Sequence, residues 1–261
     1  MVLPLRKKVL LLLLVCFGLS SSYVLAQCQK EMFLIAWNGY EPFLYQNEHK
    51  EVTGLDTLVI KRVFDRAGCK YQFIEMPWKR SLLEIKQGNL DMLPTASITD
   101  ERKKYALFSV EYRDEEYRII VRKGEAEQWP LNKLSDVVSL QMRLLVELGA
   151  WLGDEYNTAR KNASFEQLLL KMPLVDHRAL KMLLASHVDG LIMEPPTAKY
   201  KAMEQGILDK IEVHPYVVNA DPVYFMFSKK TVSHKDIKII NKALLEYKGS
   251  AEYKALYEFN K

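Results

Sequence analysis

Beyond the apolar start of the chain, apolar residues cluster in Glu31-Met-Phe-Leu-Ile-Ala36, a run too short for a helix and apolar on both faces, which predicts a buried parallel strand. From Gly54 to Gly68 the spacing becomes helical. Leu55, Leu58, Val59, Val63 and Phe64 form one stripe, and Gly68 supplies the stop. Residues 71–75 return to a strand pattern, residues 78–87 to a helix ending at Gly88, and residues 91–93 to a third strand. Strand, helix, strand, helix, strand predicts an α/β fold with a parallel sheet. Further on, residues 117–122, 144–148 and 188–193 read as strands, and residues 165–171 and 178–186 as helices. Residues 234–247 and 250–259 read as two closing helices separated by Gly249. A second α/β unit of about 100 residues fits this pattern.

Ligands of parallel sheets sit at the carboxyl ends of strands, where Tyr40, Trp78 and Thr95 all fall. The stretch after the third strand, Pro94-Thr-Ala-Ser-Ile-Thr-Asp-Glu-Arg102, is the most suggestive of them. On an extended backbone Thr95 and Ser97 would point their hydroxyls the same way. Thr99 reads as a helix N-cap, with Asp100 and Glu101 in the first turn, where the helix dipole favours them. Arg102 can then swing back over the strand end, and its planar fork suits a small carboxylate. Taken alone, the segment reads more readily as a strand–loop–helix joint with a solvated arginine.

The start of the chain changes the picture of its compartment. Arg6, Lys7 and Lys8, then the apolar run from Val9 to Leu19, then Val24-Leu-Ala26 have the three parts of a cleavable secretory signal over residues 1–26. Its loss would lower the formal net charge from +4 to +1, leaving no electrostatic case for nucleic acid. Cys16 would leave with the leader. Cys28 and Cys69 each precede a predicted strand, and an exported protein can keep a disulfide; if the strands are neighbours, the two pair. Dinucleotide, P-loop, serine-hydrolase and zincin signatures are missing, and the five histidines have no metal-ligand spacing. No cofactor or metal is expected.

Thr95-x-Ser97-Ile-Thr-x-x-Arg102, followed by Phe108-Ser109 and Tyr112, resembles the ligand signature of the type II periplasmic solute-binding proteins, specifically their polar amino-acid-binding family (family 3). The resemblance implies two lobes joined by two crossovers, each lobe a parallel-rich sheet flanked by helices. Residues 27–114 would form the first part of lobe one, 115–221 lobe two, and 222–261 the return to lobe one. The crossovers are expected near Tyr112–Glu115 and Ala220–Tyr224. Tyr40-Glu-Pro-Phe43 resembles the family's aromatic loop, which makes Tyr40 one wall of the pocket and Trp78 the opposite one. Gly54-Leu-Asp56 resembles a structural motif in which Asp56 would cap the following helix. Glu194 stands where the family has an aspartate that binds the ligand ammonium, one methylene longer. Gly149-Ala150-Trp151 stands where the family has Gly-Thr at a helix N-terminus, with Trp151 crowding the cleft. Trp37 replaces an acidic residue common in binders of basic amino acids, which argues against Lys or Arg as ligand.

The expected protein is therefore a periplasmic, non-enzymatic monomer. It would hold a small amino-acid-like or carboxylate solute with Arg102, Thr95, Ser97 and Glu194 between Tyr40, Trp78 and Trp151. It would serve an ABC permease or a sensory receptor. The alternatives are a dehydratase of the same fold, with Glu194 as acid or base, and a sensory module signalling to a membrane kinase.

Overall fold

The computed structural model describes residues 28–174 and 178–258, so the expected signal segment lies outside the described residues. The described strands are β1 (Phe33–Trp37), β2 (Tyr45–Gln46), β3 (Val52–Thr53), β4 (Tyr71–Glu75), β5 (Met92–Ala96) and β6 (Ala106–Phe108). They continue with β7 (Arg113–Arg122), β8 (Leu144–Glu147), β9 (Leu169–Met172), β10 (Gly190–Met193) and β11 (Ile211–Ser228). The large sheet runs β4-β1-β5-β11-β7-β10-β8-β9, with β6 also on β11, while β2 and β3 form a separate hairpin. β1 is parallel to β4 and β5, and β8 is parallel to β9 and β10. The strands at the junction, β7 and β11, are antiparallel to each other. The fold is thus the expected two-lobed α/β architecture.

Period-two alternation sorts each sheet into two faces. Phe33 and Ile35 pack with Val59, Ile60, Val63 and Phe64 of the helix Leu55–Arg66, and with Ile237, Ile240 and Leu244 of the helix His234–Lys248. Phe33 and Phe64 meet edge to face at 5.2 Å, a favoured aromatic geometry. Ala36 lies in the cluster on the opposite face, with Ile85 of the helix Trp78–Gln87 and Leu90 and Leu93. In lobe two, Ile119, Val121, Leu144 and Val146 face one cluster, and Ile120, Leu145 and Leu191 the other. Among the described residues no helix is long and apolar enough to cross a membrane.

The chain passes between lobes on β7 and β11. β11 pairs with β7 from Ile211 to Val223, and from Tyr224 onward with β5 and β6. Two of the differences from the sequence expectation have a clear physical cause. The helix expected over 165–171 is a shorter helix, Ala163–Gln167, followed by β9. Leu168-Leu-Leu170 fits a helical stripe or a strand equally well, and parallel pairing of Leu144 with Leu169 through Glu147 with Met172 decides for the strand. β11 itself escaped notice because Pro215, Asn219, Asp221 and Pro222 break its apolar pattern. Its partners, not its propensity, hold it extended.

Cys28 and Cys69 do form a disulfide, with their Cα atoms 5.1 Å apart. The cause is register: Phe33 pairs with Tyr71 on adjacent parallel strands, which brings the two preceding segments together. The bond spans a sequence separation of 41, and a loop of that size is worth about 3 to 4 kcal/mol in the chain-entropy model. Chemical denaturation of Cys28→Ser/Cys69→Ser against the oxidised protein is expected to show a loss of that order. Equal midpoints and slopes would contradict it.

Candidate functional site

The carboxyl ends of β1 and β5 meet lobe two at a cavity of about 70 Å³, enough for a few waters or a small solute. Tyr40, Trp78, Thr95, Ser97, Arg102 and Trp151 all line it, as do Trp37, Glu115, Tyr117 and Glu147. Glu194 is close by but is not part of the wall.

Arg102 owes its place to its helix start. Thr99 accepts the Arg102 backbone N–H at 3.1 Å, closing the cap read from the sequence. The guanidinium turns inward, donates from Nη1 to the Ser97 carbonyl at 2.8 Å, and lies 5.5 Å from the Trp78 ring centre. It is 6% exposed. No carboxylate among the described residues lies within 4.0 Å of it. Burial lowers its pKa from the usual arginine value, yet an arginine stays charged at any ordinary pH. A buried cation of this kind stabilises an arriving anion.

Thr95 behaves differently from the expectation. Its φ is 58°, so the backbone is left-handed there and the two hydroxyls are not aligned as on an extended strand. The Thr95 hydroxyl donates to Asp56 Oδ2 at 3.1 Å and lies 3.1 Å from the Tyr112 hydroxyl. Thr95 therefore borders the cavity while its polar atom serves a buried network. Asp56 also departs from its expected role. The helix it opens has Gly54 at the N-cap without a side-chain cap bond. Asp56, wholly buried, instead accepts from Tyr112 at 2.7 Å and from Arg113 Nε at 2.9 Å.

Arg113 is the centre of this network. Besides Asp56 it donates to Glu194 through Nη1 at 3.2 Å and Nη2 at 3.1 Å. Its guanidinium lies 4.1 Å from the Phe43 ring centre. Tyr40 donates to Glu194 Oε1 at 2.5 Å. Glu194 was expected to meet a ligand ammonium; in the structure Arg113 and Tyr40 take its carboxylate. Glu115, 4% exposed, sits beside this pair. Burial, then the Glu194 charge, pushes its pKa well up, with Arg113 opposing.

Several contacts join the lobes across the cleft. The Trp78 indole donates to the Gly149 carbonyl at 3.1 Å, and Lys201 reaches the Gly39 carbonyl at 3.3 Å and the Glu41 carboxylate. Gly149 thus meets Trp78, while Ala150 and Trp151 face the cavity. The helix beyond them, Gly153–Ala159, starts two residues after Trp151.

Arg113, Glu115, Tyr117 and Glu147 are further residues of the site and its network that the sequence pattern does not single out. The available signal was the alternation of Arg113 and Glu115 with Asp114 and Glu116, which on a strand puts the first two on one face. A run of charges otherwise reads as a solvated surface.

A sequence model of the bacterial extracellular solute-binding proteins, family 3, matches residues 34–259. The chain belongs to this family. No curated protein matches it. Among solved structures, the chain is similar to the arginine-, lysine-, histidine-binding protein ArtJ from Geobacillus stearothermophilus, at 22% identity and a TM-score of 0.71, with 89% of this chain and 96% of that one covered. A histidine kinase sensor domain with similarity to periplasmic binding proteins aligns at 15% identity and a TM-score of 0.74, covering 89% of this chain and 96% of that one. The ancestral amino acid-binding protein AncCDT-1, a precursor of cyclohexadienyl dehydratase, aligns at 22% identity and 0.69, covering 88% and 95%. At these identities the three share the fold with this solute-binding family member.

Two predictions test the electrostatics. Arg113→Met strands Asp56 and Glu194 without their cation, and such a loss costs about 3 to 5 kcal/mol. Urea denaturation at neutral pH should show it, and a change under 1 kcal/mol would mean the network is dispensable. Glu147 is pushed up to about 7, first by burial, with the Leu174 N–H and Lys201 opposing. The native state then keeps a proton that the unfolded chain releases at lower pH. Stability therefore falls as pH rises from about 5 to 7, by ~1 to 3 kcal/mol from this group. Glu147→Gln should remove that part of the slope; identical slopes in variant and wild type would contradict it.

Proposed function

We propose that this protein is a periplasmic binding protein that captures a small amino-acid-like or carboxylate solute between its lobes and does no chemistry on it. The observation that carries this reading is Arg102, a buried guanidinium on the cavity wall with no carboxylate within 4.0 Å among the described residues. A solute carboxylate would meet its fork, with Ser97 beside it and with Tyr40, Trp78 and Trp151 around the remainder. Thr95 contributes shape here more than a hydrogen bond, and Glu194 acts through Arg113 and Tyr40.

Closure supplies the output. Groups from both lobes wall the cavity, so a bound solute favours the closed arrangement that an ABC permease or a membrane receptor would read. Family membership supports export from the cytoplasm and such a partner. Turnover of a cyclic amino-acid precursor would favour the dehydratase alternative.

A thermal-shift screen of the twenty L-amino acids and a set of small carboxylates tests the reading, since a solute at 100 times its Kd adds about 2.7 kcal/mol. For a solute found in this way, calorimetry should show Arg102→Ala losing about 2 to 5 kcal/mol, roughly 30-fold or more in affinity. Arg102→Lys should recover part of it, because a point charge lacks the planar fork. Equal affinity in all three proteins would remove Arg102 from the site.

A further inference from the structure

We infer that Glu115, on the first strand crossing between the lobes, receives the solute's ammonium group, and that Glu194 does not. This assignment rests on the amino-acid reading above and makes it specific.

The two carboxylates differ in what already holds them. Glu194 Oε1 accepts from Tyr40 and from Arg113 Nη2, and its Oε2 accepts from Arg113 Nη1. Its charge is matched by a guanidinium in direct contact, and it stands behind the cavity wall. Glu115 lines the cavity. Its Oε1 is buried without a hydrogen-bond partner, and the nearest cation, Arg113 Nη2, is 3.9 Å away, too far for a hydrogen bond. Arg113 is already committed to Asp56 and Glu194, so three buried carboxylates share one guanidinium.

A second cation at Glu115 would correct this imbalance. An ammonium group suits the place, because it brings three donors and a compact charge. Arg102 lies on the same cavity, close enough for the Glu115 charge to act on it. One wall thus offers a cation and another an anion to a single small molecule, which is the polarity of an α-amino acid. The resemblance in sequence implies this role for Glu194 at the end of β10, whereas the geometry points to Glu115 on β7.

Tyr40, Asp56, Arg102, Arg113, Tyr117 and Glu194 are the titratable groups around Glu115. Burial, then the Glu194 charge, raises its pKa, with Arg113 opposing. An arriving ammonium acts in the same sense as Arg113 and favours the carboxylate.

The test is calorimetric titration of wild type, Glu115→Gln, Glu194→Gln and Arg102→Ala with L-amino acids and their 2-desamino counterparts. Suitable pairs are L-alanine with propionate, L-phenylalanine with 3-phenylpropionate, and L-glutamate with glutarate. Wild type should prefer the amino acid of a bound pair by about tenfold or more, and Glu115→Gln should lose that preference. Glu194→Gln should change both members of a pair by the same factor. A preference kept in Glu115→Gln, or lost only in Glu194→Gln, overturns the assignment. If Arg102→Ala still weakens binding in that case, the solute-binding reading stands without Glu115. If neither amino acids nor desamino acids bind wild type, the reading and the assignment both fall.

Discussion

A single guanidinium, that of Arg113, holds together parts of the chain that are otherwise far apart in sequence. Asp56 lies in the first turn of a helix of lobe one, Glu194 follows a strand of lobe two, and Arg113 opens the first crossing strand between them. All three are buried, and their charges are close enough to hydrogen-bond. In an interior, such a group contributes little net stability over an apolar substitute, yet removing one member leaves an uncompensated charge. The arrangement therefore specifies geometry more than it adds stability. It fixes where the crossing strand leaves lobe one and draws Tyr40 and Tyr112 into set positions. The left-handed backbone at Thr95 belongs to the same constraint, since its hydroxyl is held against Asp56 and Tyr112.

The cavity borders this network. One side presents Arg102, held by the Ser97 carbonyl and the Trp78 ring. Another presents Glu115, pressed against carboxylates that cannot all be neutralised by Arg113. A solute with both signs of charge relieves both sides at once, whereas an apolar molecule relieves neither. The aromatic residues Trp37, Tyr40, Trp78 and Trp151 line the same cavity and would limit the bulk of such a solute.

Local features were legible from the sequence. The helix Trp78–Gln87 and its Gly88 stop, the Thr99 cap and the proximity of Cys28 to Cys69 follow from propensity, capping and strand order. So did the position of the cavity at the carboxyl ends of strands. What sequence did not convey depends on tertiary pairing. Arg113 and Glu115 look like a hydrated charge run until β11 is laid beside them. Asp56 looks like a cap because capping is the nearest use for an aspartate at a helix start, and its partners lie 39 to 57 residues away. Glu194 reads in sequence as a ligand contact, while its contacts in the fold are made by Arg113 and Tyr40, which no local motif announces.

β11 continues unbroken from one lobe to the other, exchanging β7 for β5 and β6 at Val223 and Tyr224. Where the lobes join, it and β7 form a narrow ribbon, and two-stranded ribbons twist more freely than broad sheets. Opening the cleft would then wind this ribbon like a torsion spring, along a ladder that shifts register beside Val217 and Tyr224 and lacks an amide hydrogen at Pro222. The cleft contacts at Trp78 and Lys201 act as latches, and Arg113 and Glu115 sit on the axle itself. A charge arriving beside them would be felt as torque.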